Sequence, residues 1–175
     1  MKIDGIEIDP DAWLQCKENL ESSRWKNQFT IYEGDVRSYS FPEKYDFIIS
    51  NPPFYENDLS SPSAKKNQAK HSSDLNLRQL VSAIDRNLHL MGSFGLLLPY
   101  PRINYLIDCC ADFQYSPSEQ LNLRQSPQHP YFRSIIWFSK SIQAEVHASE
   151  LTIMNEAGKY TDEFVNLLKD YYLWL

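Results

Sequence analysis

Short apolar runs alternate along this chain with apolar positions at helical spacing, the pattern of an α/β fold. Phe29-Thr30-Ile31-Tyr32 and Tyr45-Asp46-Phe47-Ile48-Ile49-Ser50 are compact runs that predict strands, the second of them buried. Ahead of them, Gly5-Ile6-Glu7-Ile8-Asp9-Pro10 predicts a strand end running into a helix. Asp9 is a natural N-cap there and Pro10 suits the first helical position. Trp13, Cys16 (or Lys17 by its stem) and Leu20 follow at helical spacing. Leu77, Leu80, Val81, Ile84 and Leu88 predict another helix, with His89 favouring its C-terminal dipole and Gly92 its stop. Residues 93–98 predict a buried strand ending at Pro99, and Ile103, Leu106, Ile107 and Cys110 a short helix. From Glu119 the pattern turns to β. Leu121-Asn122-Leu123 and Ser134-Ile135-Ile136-Trp137-Phe138-Ser139 predict an antiparallel pair connected through Pro127, His129 and Pro130. Phe164, Leu167, Leu168, Tyr171 and Leu175 predict a closing helix over 161–175, favoured at its start by Asp162 and Glu163, and a packed helix is a simpler reading of these aromatics than a base-stacking platform.

The candidate chemistry sits where the strands end. Asn51-Pro52-Pro53-Phe54 directly follows the second apolar run. Open α/β sheets bind ligands beyond the carboxyl ends of their strands. Successive prolines fix two φ angles and remove two backbone donors. The Asn51 side-chain carbonyl and the Pro52 carbonyl can then both serve as acceptors, which suits an amine donating two hydrogens, and Phe54 offers a flat apolar face for a planar ring. The same tetrapeptide also serves as an ordinary strand-ending turn. Glu7, at the tip of the first strand, can accept two hydrogen bonds from a ribose diol, or be a solvated loop carboxylate. Beyond the second strand, Gly34 lets the chain pass close to a ligand, Asp35 can accept from an adenine amino group, and Val36 can pack on the ring.

Glu7, Gly34-Asp35 and Asn51-Pro52-Pro53-Phe54, in this order, resemble the class I S-adenosylmethionine-dependent methyltransferases. The Asn-Pro-Pro-aromatic motif resembles those members that methylate exocyclic amines of nucleobases or the amide nitrogen of glutamine. The run Arg124-Gln125-Ser126-Pro127-Gln128-His129-Pro130-Tyr131-Phe132-Arg133 with the strand after it, and the C-terminal stretch from Leu151, are similar to the bacterial tRNA1(Val) (adenine-N6)-methyltransferases. The resemblance spans nearly the whole chain. It implies methyl transfer from S-adenosylmethionine to adenine N6 of a tRNA, at adenosine 37 of a valine tRNA. It also implies an α/β, Rossmann-like sheet, mostly parallel with an antiparallel edge strand, within a single domain over 1–175. It assigns Asn51, Pro52, Pro53 and Phe54 to the reaction, Glu7 to the cofactor ribose, and Asp35 and Val36, with Ile8 lining the pocket, to its adenine. The family opens with a first strand and a glycine-rich loop, and no Gly-x-Gly-x-Gly occurs among the 5 glycines here. The expectation is therefore an incomplete sheet, the C-terminal part of the fold with its first strand absent, that binds the cofactor weakly by itself. Two rivals stay open: another amine target, such as a rRNA or DNA base or a protein glutamine, and a non-catalytic interaction module.

Composition narrows the picture further. A chain of 175 residues with 42% hydrophobic and 14% aromatic residues suits one domain with a real core. A mean hydropathy of −0.50 and the lack of a long apolar run exclude a helical membrane span, and no signal-peptide core opens the sequence. Cys16, Cys109 and Cys110 have no metal spacing, and His129 and His147 have no ligand partners in sequence, so no metal is expected. Reduced thiols and a cytoplasmic setting follow. The net charge of −6 argues against non-specific nucleic-acid binding. Local positive charge remains: Lys65, Lys66, Lys70 and His71 lie in the polar stretch 56–76, readable as a mobile lid or as a solvated loop. Arg124 and Arg133 flank the β connection, as RNA contacts or as plain surface charge.

Overall fold

The computed structural model describes residues 2–52, 75–141 and 145–172. They form two compact units, Met1–Glu43 and Lys44–Leu175. Pro53, Phe54 and the expected lid, up to residue 74, lie outside the described residues, as does Leu175.

The first unit is a strand-helix-strand: β1 (Ile3–Glu7), α1 (Pro10–Glu21) and β2 (Phe29–Glu33). The strands are parallel, with Ile3 opposite Phe29 and Glu7 opposite Glu33. α1 starts where the sequence places it. The Asp9 carboxylate accepts from the Ala12 N–H at 2.9 Å and Pro10 takes the first turn. Trp13 ties the helix to β2 by donating its Nε1–H to the Ile31 carbonyl at 3.1 Å. Tyr32, Tyr39 and Phe41 form an aromatic cluster with centroids 4.9 to 5.7 Å apart.

The second unit is a five-stranded sheet with helices packed on it. Its elements are β3 (Tyr45–Ser50), α2 (Leu77–Asn87), β4 (Leu88–Pro99), a 3-10 turn (Tyr100–Arg102), α3 (Ile103–Ala111), β5 (Ser116–Arg124), β6 (Tyr131–Ser139), β7 (His147–Thr152) and α4 (Asp162–Leu168). The strand order is β3-β4-β6-β5-β7. β3 runs parallel to β4 and β5 parallel to β7, while β6 is antiparallel to both β4 and β5. The sheet is thus mostly parallel with one reversed strand. That strand lies inside the sheet, because β7 adds beyond β5. Leu80, Val81 and Ile84 of α2 and Leu106, Cys109 and Cys110 of α3 pack on Phe94, Leu96 and Leu98 of β4 and Ile136 and Phe138 of β6. Phe94 and Phe138 stack at 5.1 Å in the middle of this core.

The opposite face is arranged differently. The Trp137 ring of β6 lies over Gly95 of β4 and stacks on Phe47 of β3 at 4.9 Å. β3 is an edge strand, so its apolar run is not the buried strand expected: Phe47 and Ile49 are 53% and 70% exposed. Gly92 also differs from expectation. α2 stops at Asn87 and the chain passes straight into β4, leaving His89 in a strand. Tyr45 pairs with Leu88 but Phe47 with Ser93, so the residues between bulge outward. Gly92 serves close approach, since a Cβ there would lie 2.9 Å from the Asp46 carbonyl oxygen. α4 starts as expected, with Thr161 as N-cap, but ends at Leu168 and carries no buried residue among those described.

A polar network clamps the far end of this unit. Asp85 accepts from the Lys140 ammonium at 2.9 Å and from the Tyr115 hydroxyl at 3.0 Å. Burial pushes the Asp85 carboxyl up, but these donors more than offset it, so it lies below the usual carboxylate range. A depressed folded-state pKa contributes stability above the unfolded-state value and loses it as pH falls through the folded one. Asp85→Asn is therefore expected to cost about 1 kcal/mol at neutral pH, the upper end for partly exposed pairs. It should also flatten the acid limb of a urea-midpoint series measured from pH 7 down to pH ~3.

Candidate active site

In the first unit, three of the four residues assigned to a cofactor gather near the carboxyl ends of β1 and β2, and Val36 follows directly after them. Glu7 closes β1, and its carbonyl accepts from the Gly34 N–H at 2.9 Å, which draws the two strand exits together. Gly34 has a φ of 152°, and a Cβ would meet the Tyr39 ring at 2.9 Å, so the turn requires glycine. Glu7 Oε1 accepts from the Asp9 N–H at 2.9 Å. That contact fixes the carboxylate, and no described residue donates to Oε2. Ile8, beside it, is 59% exposed. A fixed carboxylate with an open oxygen next to an exposed apolar side chain fits the ribose and base of a nucleoside.

Asp35 is more committed than its sequence context suggests. Its carboxylate accepts from the Arg37 backbone N–H at 2.8 Å and from Arg37 Nε at 2.8 and 3.0 Å, with Arg37 Nη2 at 2.6 Å. The Arg37 guanidinium holds this carboxyl below the usual range. Asp35 is thus an ionised acceptor of fixed orientation that a ligand amine would share with Arg37. Asp35-Val36-Arg37 carries the signal in sequence, because an aspartate bonding a backbone N–H two residues on is a local turn motif.

In the second unit, Asn51 and Pro52 follow β3 at its carboxyl end, where Ser50 pairs with Leu96. Asn51 is exposed and Pro52 buried. The corner is therefore anchored by the proline, and the Asn51 amide has no hydrogen-bond partner among the described residues. A polar side chain in this position is presented rather than packed.

The same end of the sheet brings Arg124, Tyr131 and Arg133 together with Tyr100 and Glu150, which sequence reasoning left out. β4 ends at Pro99 opposite Arg133, and Arg124 at the end of β5 pairs with Tyr131 at the start of β6. Tyr100 and Tyr131 face each other at 5.3 Å with an interplanar angle of 49°. Tyr131 donates its hydroxyl to Glu150. Arg124 bonds Glu150 at 2.5 Å and Thr152 Oγ1 at 2.8 Å. No spacing rule links Tyr100, Arg124, Tyr131 and Glu150; only the strand order does. Elsewhere, no group of three or more metal-ligating side chains occurs among the described residues, and no described helix is long and apolar enough to cross a membrane. Burial pushes the Cys110 thiol up, which makes it a poor nucleophile.

Comparisons with known proteins complete the picture. Residues 1–77 match the family model of the methyltransferase small domain. A protein of Parabacteroides distasonis named tRNA1(Val) (adenine(37)-N6)-methyltransferase is 35% identical over 173 residues, covering 98% of this chain and 73% of its own. One of the same name from Proteus mirabilis is 32% identical, covering 99% and 71%. Among solved structures, a predicted O-methyltransferase of Agrobacterium tumefaciens superposes with a TM-score of 0.74 at 14% identity, over 97% of this chain and 77% of its own. A class I S-adenosylmethionine-dependent methyltransferase of Listeria monocytogenes gives 0.62 at 14% identity, over 86% and 50%. These structural likenesses are of fold.

Proposed function

We propose, because this chain belongs to the family of tRNA1(Val) (adenine(37)-N6)-methyltransferases, that it transfers a methyl group from S-adenosylmethionine to adenine N6 in tRNA, at adenosine 37 of a valine tRNA, in the cytoplasm. The observation that carries the reading is the exposed Asn51 amide at the carboxyl end of β3, without a hydrogen-bond partner among the described residues and backed by a buried proline.

S-adenosylmethionine, when bound, supplies an electrophilic methyl group on a sulfonium. Glu7, through the oxygen to which no described residue donates, would hold the cofactor's ribose hydroxyls, and Asp35 and Val36, with Ile8, its adenine. The residues then have one task left, which is to make a poor nucleophile attack. Adenine N6 shares its lone pair with the ring. Asn51 Oδ1 and the Pro52 carbonyl would accept its two hydrogens, favour a pyramidal nitrogen and make its lone pair available to the methyl group. This is positioning and electrostatic preorganisation. The family motif also assigns Pro53 and Phe54, which lie outside the described residues, to the reaction; an aromatic side chain of this kind would stack on an adenine that has left its helix or loop stack. The proton leaves after transfer, when the nitrogen is acidic, so a strong base is unnecessary.

The test is methyl transfer from tritiated S-adenosylmethionine into an extract of cells lacking the enzyme. Label is expected in tRNA and, after nuclease digestion, in N6-methyladenosine. Label in protein glutamine or in another base would replace the tRNA reading with a different amine target. The absence of label in every fraction would leave a binding module.

A further inference from the structure

The carboxyl rim of the second unit carries an aromatic surface that the reaction itself does not use. β3 and β4 are neighbouring strands, so the 3-10 turn that follows Pro99 lies one strand away from the Asn51 corner, at the same end of the sheet. Tyr100 opens that turn and is 39% exposed. Its ring packs at 5.3 Å against Tyr131. Tyr131 is held in turn: its hydroxyl is tethered to Glu150, and the Arg124 guanidinium lies 5.9 Å from its ring centre, itself fixed by Glu150 and Thr152. Four elements thus converge to immobilise one exposed aromatic ring. As plain inter-strand glue, the network would need only Arg124, Glu150 and Thr152, which already bridge β5 and β7; nothing in that bridge calls for Tyr100.

Charge points to what such a ring would bind. A chain of net charge −6 gains little from phosphate neutralisation at long range, so an RNA partner must be held mainly by short-range contacts. Stacking of an unpaired base on a fixed aromatic ring is such a contact, and single-stranded loops are where RNA offers unstacked bases. Withdrawing one nucleotide for chemistry also removes a stacking neighbour from the next. We propose that Tyr100, braced by Tyr131, is the stacking platform for the nucleotide adjacent to the methylated adenine. This rests on the tRNA reading above and adds to it a second base contact, one strand removed from the reacting one.

The test uses the whole chain and a valine-tRNA anticodon stem-loop carrying 2-aminopurine next to the target adenine. Binding is expected to quench the fluorophore. Tyr100→Ala and Tyr100→Leu, the latter keeping bulk without a π face, should each abolish the quench and weaken binding by about 5- to 150-fold, the range one base–aromatic stack supplies. Tyr100→Phe should bind as the unsubstituted protein does. Tyr105→Ala, on the neighbouring helix, should change neither readout. Thermal midpoints of all four variants separate lost contact from lost fold. Full quench and unchanged affinity in Tyr100→Leu would overturn the platform while leaving the tRNA reading intact. Failure of the unsubstituted protein to bind the stem-loop at all would overturn both.

Discussion

Asn51→Ala is expected to lower methyl transfer to tRNA by about 10²- to 10³-fold, the loss typical when one preorganised polar contact to a reacting centre is removed. The argument runs from placement. Asn51 is exposed, makes no hydrogen bond to a described residue, and is followed by a buried proline that fixes its backbone. Truncating it orphans no partner among the described residues, so stability should change by less than about 0.5 kcal/mol, as at surface positions generally. Cofactor affinity should match that of the unsubstituted protein, because the residues assigned to it belong to β1, β2 and the turns after them. Single-turnover transfer and calorimetric titration with S-adenosylmethionine, on the same preparation, check both halves. A parallel loss of binding and transfer would remove Asn51 from its role.

The second large effect is structural. Gly95→Ala should destabilise the second unit by about 1–3 kcal/mol, the range for overpacking. A Cβ at position 95 would lie 2.2 Å from Trp137 Cζ3 and 2.5 Å from two further ring carbons. The indole cannot simply tilt away, since its outer face stacks on Phe47 at 4.9 Å. Either β4 moves away from β6 or the tryptophan leaves its place. Denaturant midpoints of Gly95→Ala, Trp137→Ala and the double variant measure the clash directly. The double variant should be less destabilised than the sum of the two single ones, because the substituted ring no longer opposes the added methyl. Additive costs would show that the glycine serves something other than this ring.

The contrast between these glycines shows what the sequence reveals and what it withholds. The start of α1 was legible because Asp9 and Pro10 act locally, and the start of α2 because Leu77 opens a helical spacing; the capping box at Asn76 and Gln79 closes it. Gly92 was not. A glycine ends a helix through a positive φ and serves a strand through close approach, and nothing within a few residues distinguishes the two. The run at Tyr45–Ser50 announces a strand but not its neighbours, so the edge position that exposes Phe47 and Ile49 is a tertiary fact. β7 escaped for a related reason: His147–Thr152 is mostly exposed and lacks a strong apolar alternation, and its pairing with β5 makes it a strand. At the candidate site, the placement of Glu7, Asp35 and Asn51 at or just beyond strand ends was legible from strand-end motifs. The Arg37 clasp on Asp35 and the Tyr100–Tyr131 pair were not, the first overlooked at a spacing of two residues and the second assembled from separate parts of the chain.

The reversed strand at the centre of the sheet has an evolutionary corollary. Because β6 points against its neighbours, the hairpin before it emerges on the same side as the exits of β3 and β4. On the proposed reading, the group assigned to the reacting amine and the surface beside it are thus encoded in stretches far apart in the gene. Point changes in the hairpin would then retune which nucleic acid is accepted without disturbing the corner assigned to the chemistry, and selectivity and reactivity would be free to drift separately.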